Sequence, residues 1–190
     1  MKTAKGFIVV GQPILINGII YSGVNTDAWP IGTDFDSRKA VNIREFTYQD
    51  LAFPMLVDFD SAVCYYRSCE CTGIIPRMLY CEALVDYSKS NLPQFDKPQN
   101  CTCLGFDYAY PSGDYYSAIA NDIICNDRFL QTHWKEHLNK FGLLPTEDKL
   151  IQFAKARDNF IRENEKSGQE LLFEKGNFIG FCVFQVHPPI

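Results

Sequence analysis

Residues 62–87 read AVCYYRSCECTGIIPRMLYCEALVDY, and the fold class turns on them. Two runs, Ala62 to Ile75 and Arg77 to Tyr87, are rich in Tyr, Cys, Ile, Leu and Val, residues that fit a pleated, half-buried surface. Thr72-Gly73 and Pro76 interrupt them, so the stretch predicts a β-meander.

Working upstream, Phe7 to Val10 and Ile14 to Tyr21 read as strands joined by Gly11-Gln12-Pro13, with Asn17-Gly18 splitting the second into a hairpin. Residues 22 to 38 are turn-rich and acidic, and read as loop. Val41 to Phe46 fits a short strand and Thr47 to Phe53 a helical turn.

Downstream, residues 88 to 100 form a surface connection and Cys101 to Tyr108 a further strand. Helical spacing then takes over. It predicts helices over Asp114–Cys125, over Asp127–Phe141 with Gly142 closing the end, and from Thr146-Glu147-Asp148-Lys149 to about Asn164. Phe178 to Val186 returns as a strand, with a bulge expected at Gly180. Strands first, helices later and one strand returning give an α+β fold. The expectation is one domain over residues 1–190: a largely antiparallel sheet from the N-terminal half and the C-terminal strand, packed against about three helices.

The balance of 18 Lys and Arg against 23 Asp and Glu gives a net charge of −5. The basic residues are scattered, which speaks against nucleic acid, since phosphate neutralisation needs them clustered. An acidic surface instead accelerates the approach of a basic partner. No apolar run approaches the ~20 residues that span a bilayer, so no membrane partner is expected. Lys2 and Lys5 precede an apolar run, but Gly11-Gln12-Pro13 interrupts it, so a secretory leader is not expected. A cytoplasmic location follows as an expectation, with the eight cysteines mostly reduced.

His133-Trp134-Lys135-Glu136-His137 fits H-x-x-E-H, the inverted zinc-peptidase pattern. Two His four apart share a helix face and reach one zinc ion while Glu activates the bound water, and a third protein ligand is needed. Glu163, Glu165, Glu170 and Glu174 lie downstream outside any motif. The simpler reading has His137 within the apolar stripe of that helix and His133 at its border, both only packing. Cys69/Cys71 and Cys101/Cys103 would suit a tetrathiolate zinc site if both pairs sit on strands, where residues two apart share a face. The same pattern arises if that face is core. Asp34-Phe35-Asp36 and Asp58-Phe59-Asp60 are two D-x-D triplets without a phosphate loop, so their acids read as pointing outward, where a basic partner would meet them. With no complete active site and no Walker or dinucleotide motif, no enzyme activity and no cofactor are expected.

Residues 105–122, GFDYAYPSGDYYSAIAND, pack Asp and aromatic residues around a Pro-Ser-Gly-Asp turn. They resemble segments of immunity proteins from bacterial contact-dependent growth inhibition and related polymorphic toxin systems. The resemblance covers about a tenth of the chain. It implies a small, acidic, catalytically silent protein that neutralises a cognate toxin, often a basic nuclease, by covering its active site. The partner-binding residues expected on this basis are Asp107, Tyr108, Tyr110, Asp114, Tyr115 and Tyr116, joined by Asp34, Asp36, Asp58 and Asp60. Two alternatives stand beside it: a small zinc hydrolase using His133, Glu136 and His137, and a structural module of a larger assembly.

Overall fold

The computed structural model describes residues 3–10, 14–16, 19–21, 52–54, 59–71, 75–86, 96–111, 114–119, 133–167 and 177–187. It has an α+β fold. Eight strands are described: β1 (Thr3–Val10), β2 (Ile14–Ile16), β3 (Ile19–Tyr21), β4 (Ala52–Pro54), β5 (Arg77–Asp86), β6 (Cys101–Pro111), β7 (Asp114–Ser117) and β8 (Ile179–Val186). Two helices accompany them, α1 (Phe59–Cys71) and α2 (Glu147–Lys166). Six strands form one sheet in the order β1-β5-β8-β6-β7-β4, and β2 and β3 pair as a separate hairpin. Each described pairing is antiparallel. No helix among the described residues is long and apolar enough to cross a membrane.

Phe7-Ile8-Val9-Val10 is an unbroken apolar run because its strand is covered on both faces, so no position is left for a polar residue. Alternate side chains of β1 and β5 separate into two clusters. Phe7, Val9, Met78 and Tyr80 join Val186 and Ala62 of α1. Ile8, Val10, Leu79, Cys81 and Ala83 join Phe181 and Val183, and the same cluster continues to Leu150 and Phe153 of α2.

Three sequence expectations are corrected here. The run from Ala62 is helical to Cys71. Phe59, Ala62, Val63 and Tyr66 recur at helical spacing and pack on Phe7, Met78 and Tyr80, whereas Cys64 and Arg67 are exposed. Burying that stripe overrode the strand preference of Val, Tyr and Cys. Second, Asp114–Ser117 pairs with β6 and with β4 as a strand, and helical geometry begins only at Ala118. Ala52 and Phe53, expected in a helical turn, belong to that β4; Pro54 is tolerated on the outermost strand of the sheet. Third, Gly180 is no bulge: it stays in register opposite Tyr108, and the irregularity falls between Cys103 and Gly105 of β6. A Cβ at Gly180 would overlap Leu150, so the glycine lets α2 approach β8.

α2 forms where its sequence places it. Thr146 accepts a hydrogen bond from the Lys149 amide at 3.2 Å, satisfying one of the orphan donors of the first turn. Glu147 and Asp148 complement the helix dipole there, and Lys166 does so at the far end. The expected strand at Val41–Phe46 lies outside the described residues.

Candidate functional site

The aromatic and acidic segment forms a β-hairpin, with Tyr110 opposite Tyr116 and Ala109 opposite Ser117. Strand alternation therefore decides which of its side chains face outward. Asp107 is 2% exposed and Tyr115 also 2%, so both belong to the interior, not to the binding face expected of them. The Asp107 carboxylate accepts from the Ser117 hydroxyl at 2.8 Å, the Tyr115 hydroxyl at 3.0 Å and the Tyr108 amide at 2.8 Å. Burial raises its carboxyl above the ordinary value of 3.8, and the three donors pull the other way. Burial also pushes the Cys81 thiol well up, helped by the Asp107 charge and opposed by a hydrogen bond with Tyr115.

Tyr108 and Tyr110 are half-buried, their rings 5.6 Å and 6.0 Å from that of Phe178. Both keep an outer edge in water. The side chains of Asp114 and Tyr116 are outside the description, as are residues Asp34, Asp36 and Asp58 altogether. Asp60 is exposed in the first turn of α1, where a carboxylate complements the helix dipole.

The helix expected to carry H-x-x-E-H does not run to Phe141. His133 and Trp134 form a wide turn, Lys135–His137 a tight 3-10 turn, and Leu138 is already extended. Asn139 stops the helix. Its Oδ1 accepts from the Phe141 and Leu143 amides, its Nδ2 donates to the Leu104 carbonyl at 2.8 Å, and Gly142 takes a φ of 70°. The chain is thereby turned onto β6, where Phe106 and Leu144 exchange two backbone hydrogen bonds. Trp134 is buried edge-on to Phe153 at 5.2 Å, while His133, Glu136 and His137 are exposed. His137, expected in the apolar stripe, instead sets its ring against the outside of Trp134 at 5.0 Å. Among the described residues no three His, Cys, Asp or Glu side chains come together to hold a metal ion.

Beside His133 lies an open cleft of about 320 Å³, lined by His133, Trp134, Ala156, Asn159, Phe160 and Glu163. The four α2 residues fall at positions i, i+3, i+4 and i+7, a single face of the helix. Aromatic walls with an imidazole and a carboxylate at the rim suit an amphipathic side chain more than a fully apolar one. Arg162 donates to the Asn159 side-chain oxygen at 2.7 Å, fixing that rim. Glu163 was visible in the sequence only as one of several downstream acids; nothing local signalled that it would line a cleft with His133.

Cys69 and Cys71 lie on α1, so the strand alternation on which the tetrathiolate reading relied does not apply to them. On β6 the Cys101 thiol donates to the Pro98 carbonyl at 3.1 Å, and the Cys103 sulfur lies 3.6 Å from that of Cys182 on β8. In comparisons with models of known families, with curated proteins and with solved structures, nothing matches this chain.

Proposed function

We propose that this chain is a non-catalytic inhibitor of the immunity type, which binds a basic bacterial toxin such as a nuclease and covers its active site. The observation that carries the reading is the cleft beside α2. It is walled by Trp134 and Phe160, with exposed Glu163 and His133 at its rim. In a chain of net charge −5, a carboxylate at the rim favours the approach of a basic partner. The aromatic walls supply the kind of anchor that dominates interface energy. The outer edges of Tyr108 and Tyr110 are further anchors from the resembling segment, and Asp60 is a peripheral charge.

The test is co-purification with the product of the adjacent upstream gene, followed by binding titration. Phe160→Ala is expected to weaken the complex about tenfold or more, as loss of an interface anchor does. Glu163→Gln is expected to slow association and flatten its salt dependence. No complex with the product of a locus that encodes a toxin would refute the proposal.

A further inference from the structure

We infer that Cys103 and Cys182 form a reactive dithiol on the β6–β8 pair, which takes a small-molecule disulfide and closes into an intramolecular disulfide bond. The two sulfurs are already in contact at 3.6 Å although the residues are 79 apart in sequence. Cys103 is exposed and Cys182 half-buried, so one thiol meets reagents from solvent and the other waits behind it. Cys101 is not a competitor, because its thiol is turned to the Pro98 carbonyl.

A disulfide needs the sulfurs at ~2.05 Å, a closure of about 1.5 Å from the contact in place. The register of β6 against β8 shifts between Cys103 and Gly105, so the ladder is already irregular beside one of the two residues.

The steps balance with the disulfide reagent as oxidant. The Cys103 thiolate attacks one sulfur of the reagent, forming a mixed disulfide and releasing one small thiolate. Cys182 then gives up its proton and attacks the Cys103 sulfur, forming the protein disulfide and expelling the second small thiolate. The dithiol loses two electrons and two protons, and the reagent becomes two thiols.

The order is set by environment. Burial, then the hydrogen bond and charge of Cys103, push the Cys182 thiol up to about 12, so it attacks bulk reagent poorly. Once Cys103 is capped as a mixed disulfide, its negative charge is gone and that repulsion with it. Lys97, which favours the Cys182 thiolate, remains. Contact between the sulfurs supplies the effective concentration that the second step requires.

The experiment is oxidation of the folded, reduced chain with excess oxidised glutathione, quenched in acid and mapped by mass spectrometry. Exposed Cys64 on α1 reports how far ordinary thiols have reacted. Peptides containing Cys103 and Cys182 are expected joined, with the loss of two hydrogens. Cys182→Ser is expected to stop at a glutathionyl group on Cys103, and Cys103→Ser to leave Cys182 reacting at least about tenfold more slowly than Cys103 does. A stable glutathionyl group on wild-type Cys103 after Cys64 has fully reacted, without the cross-linked peptide, would overturn the inference. That reading needs only the wild-type chain and stands whether or not a toxin is bound.

Discussion

Asp107→Ala is the substitution that most directly tests how the hairpin is held. Three donors converge on this carboxylate, and the hydroxyls of Tyr115 and Ser117 are both buried. Leaving a buried donor without an acceptor costs about 1–3 kcal/mol, and the half-buried Tyr108 amide reaches water more easily. Removing the charge returns part of its desolvation cost. The net loss expected is about 3 kcal/mol, or about 6–12 °C in Tm for a chain of this length. Asp107→Asn behaves differently. Its carbonyl still accepts from Ser117 and the Tyr108 amide, and the Tyr115 hydroxyl rotates to accept from the new amide, so the cost stays below about 1 kcal/mol. The charge also predicts a pH signature. Because the folded carboxyl lies above 3.8, the folded chain holds this proton more tightly than the unfolded chain. That stability is fully present below about pH 3.8 and lost as pH rises through the folded value, so wild type loses ground to Asp107→Asn between about pH 4 and 7. Urea unfolding followed by circular dichroism at both pH values measures it. An alanine chain as stable as wild type, or an asparagine chain as damaged as alanine, would refute the reasoning.

Gly105→Ala is expected to cost about 2–3 kcal/mol, because the new Cβ would sit 2.7 Å from the Leu144 carbonyl, which is backbone and cannot step aside. Gly180→Ala meets side chains only, Leu150 most closely and Leu84 at 3.4 Å, so it should cost less, and the order of the two unfolding midpoints checks the distinction. Thr146→Ala removes the cap of α2 and should lower stability by about 1 kcal/mol, with Thr146→Ser restoring most of it in the same denaturation assay.

The parts of this molecule legible in its sequence are those governed by short-range chemistry. Thr146 caps, Glu147 and Asp148 meet the dipole, and Leu150, Phe153 and Arg157 recur on one face, so α2 is specified by its own residues and its cap. The run Ile179–Val186 declares a strand in the same way. The stretch at Phe59–Cys71 shows where local reading divides: its composition favours a strand while its apolar spacing favours a helix. Only the β1–β5 surface, which needed Ala62 and Phe59 to cover Phe7 and Tyr80, chose between them.

The site was written in long-range pairing, which no local pattern encodes. β8 inserts between β5 and β6, so Cys182 meets Cys103 across 79 residues. The hairpin register turns Asp107 and Tyr115 inward together, and the Asn139 turn sets His133 beside Glu163. Sequence alone settled that this chain is acidic and builds an antiparallel sheet with helices. Tertiary structure decided which residues share a face, because strand order and register are fixed by the apolar area and hydrogen bonds gained when distant segments dock.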